Sequence, residues 1–121
     1  MRALILCLLA GSWLAYTSPA QAHAFLEQAV PKVGSTVDSS PTELRLRFSE
    51  AVEPAFSRIT LAKKDGGAIA LGPVAVDPGD DRILVAAVPA PLPPGVYRVS
   101  WRAVSRDTHT TTGDFTFQVG R

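Results

Sequence analysis

The sequence has one cysteine, Cys7, and one methionine, Met1, in 121 residues. Both fall in a leading segment that reads as an export signal. Arg2 gives a short positive start, Ala3 to Ala15 is mostly apolar, and Ala20-Gln21-Ala22 offers small residues where a signal peptidase reads them. A spanning helix needs about 20 apolar residues. This run is shorter and contains Gly11 and Ser12. Cleavage after Ala22 is therefore expected, making residues 1–22 a signal peptide and 23–121 a single exported domain of 99 residues. That domain would contain neither thiol nor thioether, which excludes a disulfide framework, cysteine-based catalysis and Cys-rich zinc sites. It must stand on its hydrophobic core alone, as a bacterial periplasmic protein can. No second apolar stretch approaches spanning length.

An excess of either charge is also lacking. The chain has 12 Lys and Arg against 11 Asp and Glu, and loss of Arg2 leaves 11 against 11. Nucleic-acid binders carry a basic stripe and polybasic tethers a run of like charge, so both classes are excluded. Helical periodicity beyond a turn or two is missing as well.

What the sequence does have is alternation and turns. Leu44, Leu46 and Phe48 alternate with Arg45 and Arg47; Tyr97, Val99, Trp101 and Ala103 alternate with Arg98, Ser100 and Arg102. Phe115, Phe117 and Val119 do the same, and Ile59 and Leu61 more weakly. A period of two places one set on a core face and the other in solvent. Ile83 to Val88 is continuously apolar, as in a strand covered on both faces, although pattern alone leaves a short buried helix open. Lys64-Asp65-Gly66-Gly67, Pro78-Gly79-Asp80-Asp81 and Pro93-Pro94-Gly95 supply turn chemistry between the runs. The expectation is an all-β antiparallel Greek-key sandwich or barrel of about seven to nine short strands.

Two histidines stand out. His23 would become the first residue of the cleaved chain, where its α-amine and ring Nδ1 can close a six-membered chelate on one metal ion. His109 follows Asp107 by two residues, so an extended chain would project both toward one side. Together the two places offer three nitrogens and one carboxylate oxygen. Such a set in tetragonal geometry suits Cu(II), whereas zinc prefers a tetrahedron and Cu(I) prefers sulfur. Spacing does not bring the two places together in space, and a solvated Asp-X-His at a strand edge remains the ordinary alternative.

The start His23-Ala-Phe-Leu, with Pro31 and Gly34 following, resembles the CopC copper-resistance family, as do Leu44-Arg-Leu-Arg-Phe48-Ser49-Glu50, Gly95-Val-Tyr97-Arg-Val-Ser-Trp101 and Ser105-Arg-Asp107-Thr-His109 with Gly113. The resemblance runs from His23 to Val119. It implies an immunoglobulin-like or cupredoxin-like Greek-key fold and a monomeric periplasmic protein binding one Cu(II) per mature chain through His23, Asp107 and His109. Glu50 matches a further carboxylate near copper in some members, against the ordinary reading of a solvated strand-end Glu. Some members also have a Met-rich Cu(I) site. The corresponding stretch around Lys63-Lys64-Asp65-Gly66-Gly67 has no methionine, so no Cu(I) site is expected. Other members are fused to a membrane copper-transport domain resembling CopD, which here would be a separate inner-membrane protein.

The resulting expectation is copper buffering, resistance or delivery, not catalysis. Two alternatives use the same residues: a small copper oxygenase with a histidine brace, and a metal-free structural or adhesive sandwich. Against the oxygenase, 99 residues leave no broad substrate surface. In each case Arg45, Arg47, Arg98 and Arg102 read as a solvated sheet face.

Overall fold

The computed structural model describes residues 24–120 and folds the alternating runs into nine strands. In chain order these are β1 (Leu26–Val30), β2 (Thr36–Val37), β3 (Glu43–Phe48), β4 (Arg58–Lys63), β5 (Ala68–Ile69), β6 (Ala75–Asp77), β7 (Asp80–Ala87), β8 (Gly95–Val104) and β9 (Thr110–Val119). No helix occurs among the described residues. One sheet has the order β1-β3-β7-β6 and the other β2-β9-β8-β4-β5. Every pairing is antiparallel except the short parallel contact of β2 with β9. The chain crosses repeatedly between the sheets, as an all-β sandwich requires.

The two inner faces interlock because the period-two pattern is obeyed almost everywhere. Leu44, Leu46 and Phe48 of β3, with Leu84 and Ala86 of β7, meet Ile59 and Leu61 of β4, Tyr97, Val99 and Ala103 of β8, and Phe115, Phe117 and Val119 of β9. Phe48 meets Trp101 of the other sheet edge to face, with ring centroids 5.1 Å apart at 71°. Tyr97 stacks on Phe117 at 5.7 Å and donates its hydroxyl to the Pro93 carbonyl, four residues upstream. A buried phenol thereby keeps a partner, the arrangement found at tyrosine corners of sandwich folds. Truncating one of these aromatics to alanine would cost about 3–5 kcal/mol.

The turns form where glycine and proline foretold them. At the β4–β5 tip the Lys63 amide donates to Gly67 and the Gly66 amide to Lys63. Gly66 has φ +111°, a conformation that a side chain would resist. One expectation is revised. Ile83 to Ala87 belong to β7, with Val88 just beyond it, but among the described residues no third layer covers the strand's second face. Leu84 and Ala86 are buried, whereas Ile83 and Val85 are half-buried on the outside, opposite Arg47 and Arg45 of β3. Long arginine stems give such positions partial apolar cover, with the guanidinium heads beyond it, and among the described residues Arg47 Nε is itself buried without a hydrogen-bond partner. Those heads find acids: Arg45 reaches Asp77 at 3.0 Å and Glu43 at 3.4 Å, and Arg47 reaches Glu27 at 3.9 Å.

Candidate metal centre

One end of the sandwich gathers four segments. Thr111 donates its hydroxyl to the Ala24 carbonyl at 2.7 Å, tying the first described residue to β9. Phe25 and Ser49 are joined twice, by the Phe25 amide to Ser49 Oγ (2.9 Å) and the Ser49 amide to the Phe25 carbonyl (2.8 Å). Ala51 accepts from the Arg106 amide, and the Glu53 amide donates to Val104. The Val52 amide donates to Asp81 in the β6–β7 hairpin, whose carboxylate takes Arg106 Nη2 at 2.5 Å. Arg106 also reaches Glu53 at 3.7 Å. The β8–β9 hairpin is thus braced against three neighbouring segments.

Within that hairpin the loop is tight. Ser105 donates its amide to His109, and the Thr108 amide donates back to Ser105, leaving Arg106, Asp107 and Thr108 as the tip. Such a three-residue connection needs its last residue in the left-handed region, normally a glycine. Thr108 occupies it with φ +72°, a strained state for a β-branched residue. The segment is therefore a turn, not the extended chain supposed from spacing. Asp107 and His109 meet all the same, because the chain folds back between them.

Asp107 Oδ2 lies 3.0 Å from His109 Nδ1, and Asp107 Oδ1 accepts the hydroxyl of Ser105. Ser105, the buried polar residue of the core, also reaches the His109 carbonyl at 3.2 Å. The Ser105 hydroxyl and then the His109 ring hold the Asp107 carboxyl below its ordinary range, so it stays anionic well into acid. A carboxylate on Nδ1 fixes the ring and, in the neutral tautomer it favours, leaves the lone pair on Nε2. Both side chains are about half exposed, His109 at 54% and Asp107 at 41%. An ion can therefore reach them from solvent.

The described residues alone contain no group of three or more His, Cys, Asp or Glu side chains arranged to hold a metal. Asp107 and His109 bring one carboxylate and one imidazole within 3.0 Å of each other. His23, expected from the sequence as a further ligand, lies outside the described residues. Its chain neighbour Ala24 is described, fully buried, and bonded to Thr111, two residues from His109. Glu50 sits between Ser49, held to Phe25, and Ala51, held to Arg106, and its side chain is exposed at the same end. Sequence reasoning missed Ser105, Thr108 and Thr111. Hydroxyls that hold a loop through backbone contacts carry no periodic signal, so only the fold reveals them.

A family model for the CopC domain matches residues 26–120. Copper resistance protein C of Escherichia coli is 42% identical over 106 residues, covering 83% of each chain. Among solved structures, CopC from Methylosinus trichosporium OB3b superposes with a TM-score of 0.74 at 34% identity, over 80% of this chain and 93% of that one. PcoC from Escherichia coli, described as a methionine-rich copper resistance protein, gives 0.72 at 40% identity, over 81% and 99%.

Proposed function

The chain belongs to the CopC family, and from that premise we propose that it carries copper as cargo in the periplasm. On this reading residues 1–22 are removed on export, and the mature chain binds one Cu(II) through His23, Asp107 and His109. The observation that carries the proposal is the Asp107–His109 pair, set 3.0 Å apart in a braced hairpin to which Ala24 is also tied. One peptide bond separates Ala24 from His23, and that short tether limits how far the terminal chelate can stray from the pair.

The donor chemistry supports Cu(II) over Cu(I). Imidazole, amine and carboxylate are borderline-to-hard ligands, and residues 23–121 hold no Cys or Met. Residues 23–121, which lack methionine, differ here from the methionine-rich PcoC, and we read the mature chain as having no Cu(I) site. Asp107 has two tasks on this account: it supplies negative charge to a divalent ion and it orients His109. Partial exposure suits an ion that must be taken up and released, hence buffering or delivery to a separate CopD-like membrane transporter by a monomer. We read the chain as a carrier and not an enzyme.

Titrating Cu(II) into the processed protein, followed by EPR, tests this directly. One equivalent with a tetragonal nitrogen and oxygen spectrum is expected. Removing an orienting partner of a ligand costs 10–100-fold in metal affinity, so removing the ligand itself by His109→Ala should cost roughly a hundredfold or more. Undiminished binding by that variant would overturn the assignment.

A further inference from the structure

The outer face of the β4–β8 pair holds an arrangement that copper binding does not use. Seven arginines lie among the described residues, and five have a carboxylate within 4.0 Å: Arg45, Arg47, Arg82, Arg98 and Arg106. Arg58 and Arg102 form no ion pair among the described residues, and they stand directly opposite each other in the strand register. Like charges in directly opposed positions destabilise a sheet. Arg102 gives Nη1 to the Phe56 carbonyl at 3.2 Å, which positions the guanidinium but does not neutralise it. The acid nearest in register, Asp114 opposite Ser100, is engaged by Arg98 at 3.7 Å.

The next pair along the same face is Thr60 opposite Ser100. Both hydroxyl residues, the two arginines and Trp101 line a single open hollow of about 180 Å³. The Thr60 hydroxyl donates to the Ser100 carbonyl at 3.5 Å, which leaves two guanidinium groups and the Ser100 hydroxyl as donors around the hollow, a set suited to a tetrahedral oxyanion. We infer that Arg58, Arg102 and Ser100, with Thr60 lining the same hollow, bind a phosphate group, either free or carried by an anionic phospholipid headgroup. The bound anion neutralises a charge pair that the empty face leaves in repulsion. This site is independent of the copper reading, because none of its residues belongs to the metal set.

The test is an amide NMR titration of the mature protein with inorganic phosphate, holding ionic strength constant with chloride. Saturable shifts confined to residues 58–60 and 100–102 are expected. Arg58→Gln and Arg102→Gln should each weaken phosphate binding by roughly tenfold, the factor that about 1.4 kcal/mol commands. Each should also raise the melting temperature in phosphate-free buffer, since each removes the repulsion, while phosphate raises that of the parent alone. Ordinary solvated arginines would show neither effect. Co-sedimentation with phosphatidylglycerol vesicles, but not with pure phosphatidylcholine, and its loss in Arg102→Gln would assign the headgroup; phosphate saturation without sedimentation would assign the free ion. Linear, unlocalised shifts together with no vesicle binding would overturn the inference.

Discussion

The indole of Trp101 lies across Gly113, its partner in the β8–β9 register, so closely that a Cβ on Gly113 would come within 2.5 Å of Trp101 Cζ2. The bare backbone at Gly113 makes room for the ring that meets Phe48 across the core. It also lies four residues from His109, so core packing and the Asp107–His109 pair share one hairpin.

Gly113→Ala is therefore expected to destabilise the fold by about 1–3 kcal/mol, the usual cost of forcing extra volume into a packed site. A thermal melt with Trp fluorescence checks it; an unchanged melting temperature would mean the indole has somewhere else to go.

Thr108→Gly should act in the opposite direction. A left-handed conformation costs an L residue roughly 1–2 kcal/mol, and glycine escapes it while losing some chain entropy on folding. Urea denaturation should show a net gain of up to about 1 kcal/mol. A loss would show that the Thr108 side chain, whose hydroxyl bonds the Asp107 carbonyl at 2.6 Å, contributes more than the strain removes.

Thr111→Val deletes the bond to the Ala24 carbonyl at nearly constant shape. Leaving a buried acceptor unsatisfied costs about 1–3 kcal/mol. If the N-terminal residues serve the metal, Cu(II) affinity should fall in the same variant. Calorimetry on the parent and the variant separates the two effects, and unchanged affinity would detach the terminus from the metal set.

Acid should weaken the fold within a defined window. Asp77 is held low first by Arg45, Asp80 by the Arg82 amide and side chain, and Asp107 by Ser105 and His109. Each folded carboxyl is more acidic than its unfolded counterpart near 3.9, so its contribution is complete above that value. It disappears as pH falls through the lower folded values. The urea midpoint should hold steady from pH 7 to about 5 and decline below about 4, with a shallower decline in Asp77→Asn. A midpoint that already falls between pH 7 and 5 would contradict it.

The fold was legible because most strands declare their faces. Leu44 to Phe48 and Tyr97 to Ala103 turn inward the residues their alternation marks, with Trp101 alone of these only partly buried. Ile83 and Val85 misled, because arginine stems on a neighbouring strand can shelter an outward apolar residue without any third layer. At the candidate site, Asp107 and His109 were visible as residue types, yet their meeting depends on a left-handed Thr108 that no sequence rule favours. Ser105 and Thr111 act through one hydroxyl each, and nothing in the sequence marks them out from the other serines and threonines around them. Nor could the isolation of Arg58 and Arg102 be read from a balanced charge count, since it depends on which acids the fold brings near.

The most direct test of the copper account is the affinity of the processed protein beginning at His23, set against the same protein with one glycine added before it. The extension keeps every side chain and removes only the free α-amine beside the imidazole. The account predicts a loss of Cu(II) affinity of roughly a hundredfold or more, comparable to losing a ligand. Equal affinity in the two proteins would contradict it.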